Sequence, residues 1–599
     1  MLGRASGQEE CDGSSATGVN YKYAEDLLGL DRCTPLQSNA EIPEPLTHTV
    51  SPLKLRAWEK ALATHPDVEY AQYLLRGIQE GFRIGFDRRS PLKSAGANMP
   101  SAREQAEVVD EYLGKECSEG RMVGPLNPKD WPGIHISPFG VIPKSTQGKW
   151  RLITNLSAPQ HFSVNDGISR DLSSLSYITV DSIVEQVRRL GQGTLLAKMD
   201  IQSAYRIVPV HKEDRCLLGV KWRDQLYVDC ALSFGLRSAC KIFTSIADAV
   251  EWIASKRGAH GIAHYLDDYI VVGAPLSGEC ERSLQILLDL CAELGIPVAV
   301  QKKGQDPTTC LIFLGIEFDT MRMEIRLPQE KLERLQALIA SWRGRKSCQR
   351  VELESLVGHL HHACKVVQPG RRFLRGILSL LSRTHGRHHY ARLNESCRSD
   401  IEWWHAFVSR WNGISMMRKT DILAPDVQLW TDASGSWGCG AVWGAQWIQI
   451  SWQHHVPPAF FQKPIAVKEL LPIIMAVGTW GHQWKGCTVL CHCDNEAVVS
   501  VINKGACKDK HLAHLMRCLF FMEAEFHLSL VASHVPGRAN VEADAISRGN
   551  LSAFFTSNLQ AHPQPVPVNP ALLRCLTKVE PNWMSADWIS SFSSTFTRL

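Results

Sequence analysis

Apolar residues along the chain switch between two spacings, and the switches mark its elements. Leu53, Leu55, Trp58 and Leu62, then Tyr70, Tyr73, Leu74, Ile78 and Phe82, recur at helical intervals and predict two helices. Ala106, Val109, Tyr112 and Leu113 predict a third, after the Pro/Ser/Gly/Asn segment 90–101. Strand-like runs at 137–144 and 149–156 flank a polar turn and predict a hairpin. A second hairpin is predicted where 263–265 and the β-branched, aromatic 269–272 lie between Gly261 and Gly273, with Asp267 and Asp268 at its tip. Helical spacing returns at Leu332, Leu335, Leu338, Ile339 and Trp342, stopped by Gly344, and again at Leu353, Leu356, Val357 and Leu360. Further helices are predicted over 373–381 and 401–411. From Val427 the pattern is strand again. Residues 1–50 lack periodicity and predict disorder; 551–599 are weakly patterned and predict a linker or tail.

Composition narrows this little. At 599 residues the chain has room for several domains, and 44% hydrophobic with 21% charged residues is ordinary for globular protein. No apolar run is long enough to span a bilayer and no signal-peptide pattern opens the chain, so no membrane partner and an intracellular location, cytoplasmic or nuclear, are expected. Nineteen Cys, an odd number without regular pairs, suggest reduced thiols. Cys491-His492-Cys493 invites a zinc reading, but a strand there puts both thiols on one face with no second ligand pair nearby. Charge changes the picture more. The net charge is only +4, yet residues 331–400 hold fourteen Lys or Arg against five acids, so one module carries the basic face. Such a run is either a solvated helix surface or a phosphate contact.

The chemistry starts from Asp267-Asp268. Adjacent carboxylates repel, and a divalent cation such as Mg²⁺ removes the repulsion; a merely polar turn is the alternative. A third acid, Asp200, ends the apolar run 195–199, and Tyr205 follows it. An Asp-then-Tyr strand followed by Tyr265-Leu266-Asp267-Asp268 resembles the palm of a reverse transcriptase. The segments 232–239 and Phe313-Leu314-Gly315 fit that family in the same order. The resemblance implies that Asp200, Asp267 and the Ile201 carbonyl hold two Mg²⁺ (or Mn²⁺) ions, with Asp268 in support. It implies that Lys144 and Arg151 meet the incoming triphosphate, Phe234 and Gly235 lie beside the nucleotide, and Tyr205 excludes a 2′-hydroxyl. Lys302 or Lys303 stands near the leaving pyrophosphate, and 313–315 resembles a primer grip. Ser233 and Cys240 depart from the Pro of many relatives, which bears on loop rigidity.

Farther on, 429–443 resembles the first hairpin of a ribonuclease H, with Asp432 matched by Glu469, Asp494 and Asp544 as a second set holding two ions. Arg538 follows Gly537 where many relatives have His, so His534 is given no catalytic role. The fold expected is α/β and α+β multidomain: a right-hand reverse transcriptase of fingers, palm and thumb, then a mixed-sheet ribonuclease H. The boundaries are 1–50, a disordered segment; 51–124, helices beneath the fingers; 125–325, fingers and palm; 326–425, a basic thumb and connection; 426–550, ribonuclease H; and 551–599, the tail. The motif order is most similar to DIRS-type retroelement polyproteins. No Asp-Thr-Gly or Asp-Ser-Gly protease signature and no integrase-type His/Cys module occurs. The implied activity is RNA-directed DNA synthesis with removal of the RNA strand. Its partners would be RNA template, DNA primer, RNA–DNA hybrid and deoxynucleoside triphosphates; the oligomeric state is not implied. A host-retained or decayed copy that binds nucleic acid without catalysis is the alternative.

Overall fold

A computed structural model describes residues 46–48, 50–94, 96–143, 150–299, 306–386, 388–408, 415–416, 425–505, 507 and 509–577. The expectation of disorder over 1–50 lies outside these except at 46–48 and 50. The described part of that segment is held: Arg215, buried, donates to the carbonyls of Leu46 at 2.6 Å and His48 at 2.7 Å.

The chain forms two compact units, one from Met1–Thr179 and Leu195–Thr308, the other from Val180–Thr194 and Thr309–Leu599. In the first, strands β1 (Met122–Leu126), β2 (Phe139–Pro143), β3 (Trp150–Thr154), β4 (Leu195–Asp200), β5 (Gly219–Trp222), β6 (Gln225–Asp229), β7 (Ile262–Tyr265) and β8 (Asp268–Gly273) make three small sheets. These are β1-β6-β5, the β2–β3 hairpin, and β4-β8-β7. β8 is central in the last, and its run Tyr269, Ile270, Val271, Val272 is buried throughout, as a strand covered on both faces requires. Helices α1 (Leu55–Leu62), α2 (Val68–Glu80), α4 (Ala239–Lys256) and α5 (Glu279–Leu294) supply the cover, while α3 (Ala106–Ser118) belongs to a separate core.

The placement of α1 and α2 corrects an expectation. They do not pack beneath the β2–β3 hairpin. Trp58, Leu62, Tyr70 and Leu74 instead join one core with Met199, Ile242 and Tyr269, and the Trp58 indole donates to the Leu294 carbonyl at 3.1 Å. A sheet face of large apolar residues must be covered, and these two helices carry the bulkiest side chains of the N-terminal region. The hairpin is packed by α3, whose Val109 and Leu113 meet Phe139, Val141 and Leu152.

The second unit starts from a helix at Val180–Leu190 and continues with β9 (Cys310–Phe313), β10 (Ile316–Asp319), β11 (Glu324–Arg326), α6 (Gln329–Arg343), β12 (Ser347–Gln349), α7 (Arg350–Ala363), α8 (Arg375–Arg383), β13 (Tyr390–Arg392), α9 (Glu395–Val408) and β14 (Ser415–Met416). The compact boundary thus falls after Thr308 rather than at 325. The β9–β10 turn explains it: the Leu314 carbonyl accepts from His362 on α7 at 3.3 Å. Four Arg of the basic module pair with neighbouring acids, Arg334 with Glu330, Arg343 with Glu402, Arg345 with Glu352 and Arg350 with Glu354, so part of its excess charge is spent internally.

A five-stranded mixed sheet follows, from β15 (Val427–Ala433), β16 (Gly438–Trp443), β17 (Gln446–Ser451), β18 (Thr488–Cys493) and β19 (Ser529–His534), ordered β17-β16-β15-β18-β19. β15–β18 and β18–β19 are parallel pairs, the others antiparallel. Helices α10 (Ile465–Trp480), α11 (Glu496–Lys504) and α13 (Val541–Ser547) pack with it, and α12 (Lys510–Phe526) packs on α10.

The linker expected after residue 550 is instead folded as far as 577. Helix α14 (Leu551–Ser557) buries Phe554 with Trp447 and Ile546, Trp447 donates to the His562 carbonyl at 2.8 Å, and α15 (Pro570–Thr577) buries Leu572, Leu573 and Leu576. Isolated apolar residues between Ser and Pro give no period, yet Phe554 packs on Trp447 of the sheet and Leu572 against Gly478 of α10. Residues 578–599 lie outside the described residues. Among those described, no helix is long and apolar enough to cross a membrane.

Candidate active sites

β4 ends in Asp200, which sits directly opposite Asp268 on β8. Asp267 occupies the two-residue turn between β7 and β8, and its carbonyl accepts the Ile201 N–H at 3.0 Å, which fixes the turn against the end of β4. Three carboxylates and the buried Ile201 therefore converge on one sheet end. The turn is strained. Leu266 holds φ at +55°, where hairpins favour Gly, and its side chain packs on the unit's core, which holds the conformation in place. Strain is also seen after β4, where Ser203 and Ala204 have φ of +66° and +30° and the chain turns into a short 3₁₀ helix carrying Tyr205. Tyr205 is thus not on a continued strand.

Lys198, which sequence reasoning missed, pairs with Asp268 at 2.9 Å. It lies diagonally across the β4–β8 pair on the face that carries both acids, a placement legible only once the register is known.

Around this end stand the other expected residues. Tyr205 meets Phe234 and Phe243 edge-on, at 5.3 and 5.5 Å between ring centroids, and its hydroxyl lies 3.1 Å from the Cys240 sulfur. Burial, then that contact, pushes the phenol well upward, so the ring is neutral. The exposed Arg151 guanidinium lies 5.6 Å from the Phe234 ring centre. Gly235 has φ +96°, and a Cβ there would come within 2.8 Å of the Thr154 carbonyl at the end of β3, so close approach as well as dihedral excludes a side chain. Asn165, also missed, clamps this loop by donating to the Gly235 carbonyl and accepting from the Arg237 N–H, both at 2.8 Å. Lys144, Lys302 and Lys303 lie outside the described residues.

The departure at Ser233 does not leave its loop slack. The Ser233 hydroxyl donates to Asp229, which pairs with the buried Arg206 at 2.6 Å; Arg206 pairs with Glu116 at 2.8 Å and donates to the Leu232 carbonyl at 3.1 Å. A hydrogen-bonded ion network here does what a Pro ring would otherwise do by restricting φ.

The second set gathers at one end of the five-stranded sheet. Asp432 lies on β15 and Glu469 on α10, at 4% and 3% exposure; Asp494 follows β18; Asp544 lies on α13. Burial, followed by the charges of Asp432 and Asp494, pushes Glu469 up to about 9, and one of its oxygens, Oε2, has no hydrogen-bond partner. Burial is also the largest cause that raises Asp432 to about 6; Ser547 hydrogen-bonds it, while Asp494 and Asp544 add repulsion. Asp544 is paired with Arg548 at 2.7 Å, one helical turn on. The 534–540 loop closes over Asp494: His534 lies 3.2 Å from the Asp494 carbonyl, and a Cβ at Gly537 would be 3.3 Å from an Asp494 carboxylate oxygen. Asn540, buried, donates to the Thr431 carbonyl at 2.9 Å. Ser547 and Asn540 escaped sequence reasoning because nothing in their spacing distinguishes them from packing residues.

Residues 142–318 match the family model described as "Reverse transcriptase (RNA-dependent DNA polymerase)". This segment is a reverse transcriptase domain. A comparison with curated proteins finds no match. Among solved structures, the chain is similar to the foamy viral protease-reverse transcriptase dRH in complex with double-stranded DNA, at 15% identity and a TM-score of 0.45, covering 82% of this chain and 84% of that one. It is similar also to the foamy viral protease-reverse transcriptase with double-stranded DNA, at 16% identity and TM-score 0.43, covering 81% and 98%. A third similarity is to that protein with an RNA/DNA hybrid, at 13% and 0.41, covering 82% and 64%.

Proposed function

We propose that the chain is an RNA-directed DNA polymerase with a ribonuclease H activity, copying retroelement RNA and removing it from the hybrid. The observation that carries the polymerase reading is the convergence of Asp200, Asp267 and Ile201 at one sheet end within the matched domain. For the ribonuclease the support is four acids at one end of the mixed sheet, two of them buried and pushed upward by burial and by one another. A fold that keeps such groups together is destabilised unless a cation neutralises them.

The donor sets fit hard divalent ions. Asp200, Asp267 and the Ile201 carbonyl would hold one pair; Asp432, Glu469, Asp494 and Asp544 would hold the other, and the unpartnered Glu469 oxygen is a ready donor. Mg²⁺ bound at either set supplies Lewis-acid activation of the attacking oxygen and neutralises charge on the phosphate.

The remaining tasks fall to the chain itself. Lys198 holds Asp268 by an ion pair at 2.9 Å. Arg151 offers several fixed donors to triphosphate oxygens. The Tyr205 ring, held by Phe234 and Phe243, blocks a 2′-hydroxyl, and the bare Gly235 lets backbone approach the nucleotide. In the second set Asn540 and Ser547 fix the backbone and carboxylate around Asp432, and Arg548 holds Asp544. The motif order, most similar to DIRS-type polyproteins, supports reading the source as an element of that kind.

The test is primer extension on an RNA template by the purified chain, with labelled RNA in the hybrid followed in parallel. Both extension and cleavage should need Mg²⁺. Binding without either reaction would favour a decayed nucleic-acid-binding copy.

A further inference from the structure

Among the described residues, one group of three potential metal ligands has its ligand atoms all within 4.8 Å of one another: Glu469, Cys493 and Asp494. Two belong to the acid set above. The third is a thiol that the proposed chemistry does not use. Cys493 closes β18, fully buried, and its sulfur accepts only a long contact, 3.4 Å, from the Asn495 N–H. Beside it Glu469, 3% exposed, has an oxygen with no partner.

Sulfur is a poor donor for Mg²⁺ and a good one for softer ions. Zn–S and Zn–O bonds of about 2.3 and about 2.0 Å put two donors of one tetrahedral ion ~3.5 Å apart. The three ligand atoms lie within 4.8 Å of one another, so binding would draw them together around the ion, with a water as fourth ligand. The ligand set proposed for the reverse transcriptase domain holds oxygen alone.

We propose that Glu469, Cys493 and Asp494 bind a thiophilic divalent cation, Zn²⁺ or Cd²⁺, which competes with Mg²⁺ for the two shared carboxylates and so selectively blocks cleavage of the RNA strand. On coordination the Cys493 proton leaves to solvent and no electron is transferred. The inhibitory consequence rests on the ribonuclease reading; the binding site does not.

Binding is tested by titrating the metal-free full-length chain with Cd²⁺ and following the ultraviolet charge-transfer absorption of cadmium–thiolate bonds in wild type, Cys493→Ser and Glu469→Gln. Cys493→Ser should lose one increment of that absorption, and both variants should bind the tightest Cd²⁺ more than ~10-fold more weakly, the least expected when a ligand is lost. Excess Mg²⁺ should weaken Cd²⁺ binding in wild type. If Cys493→Ser does not fold, Glu469→Gln alone decides, since its shape is unchanged. Titrations of the folded variants that superimpose on wild type overturn the site. In the activity arm, the Zn²⁺ concentration that half-inhibits hybrid cleavage should lie more than ~10-fold below that for extension. Equal sensitivity of the two overturns selective inhibition. Cd²⁺ bound with normal affinity to a chain that cleaves no hybrid leaves the site standing and removes the ribonuclease reading.

Discussion

Glu469→Gln should make the metal-free protein less sensitive to alkaline pH. In the folded chain the Glu469 carboxyl is raised from 4.5 to about 9, by burial and then by Asp432 and Asp494. Its folded value lies above its unfolded one, so the folded state binds the extra proton between the two. Stability is therefore full below about 4.5 and declines as pH rises toward 9. Each pH unit inside that window costs about 1.4 kcal/mol, so from pH ~5 to ~8 the wild type loses about 4 kcal/mol through this group. At 3% exposure there is little solvent screening to discount. Gln keeps the acceptor for the Ala433 N–H and has no proton to lose. With a chelator present, urea unfolding should thus give near-equal stabilities for the two proteins at pH ~5 and a gap of about 4 kcal/mol favouring Gln at pH ~8. Asp432, raised to about 6, acts in both proteins and largely cancels. Saturating Mg²⁺ at pH ~8 should then stabilise wild type and leave the variant nearly unmoved. Parallel pH profiles for the two proteins would refute the reasoning, because Glu469 would then already be charged and satisfied.

Asp494→Asn should lower hybrid cleavage about a thousandfold, ~4 kcal/mol of barrier, while primer extension continues; undiminished release of labelled RNA would exclude Asp494 from the site. Tyr205→Val should leave extension with deoxynucleotides intact and cut discrimination against ribonucleotides ~100-fold, read as a ratio of kcat/KM values; unchanged discrimination would make the ring simple packing between Phe234 and Phe243. Arg206→Met leaves Asp229 buried without its cation, while Glu116 keeps Arg121, and should cost about 3–5 kcal/mol in urea unfolding; a loss below ~1 kcal/mol would mean Asp229 is neutralised by protonation instead.

Elements with strong periods were legible: 269–272 as a buried strand, 332–342 and 353–360 as helices, Asp267-Asp268 at a hairpin tip. What was not legible depends on register and on contacts remote in sequence. Lys198 reaches Asp268 only because β4 and β8 pair antiparallel with Asp200 opposite Asp268. Asn165 and Arg206 look like surface polar residues until the loop they hold is placed against them. Cys493 is visible only as part of a Cys-His-Cys run with no second ligand pair nearby in sequence, and its position beside Glu469 follows from how α10 packs on the sheet. The segment 551–577 has too few apolar residues to show a period, but the five-stranded sheet supplies the partner surface for Phe554 and α10 that for Leu572.

The central claim is that Asp267 serves DNA synthesis in the reverse transcriptase domain while a separate acid set serves RNA cleavage. It is tested most directly by Asp267→Asn, assayed for primer extension on an RNA template and for cleavage of a preformed hybrid in one Mg²⁺ buffer. The expected result is extension reduced about a thousandfold with cleavage near wild type. Extension at the wild-type rate, or loss of both reactions together in a protein that unfolds normally, would contradict it.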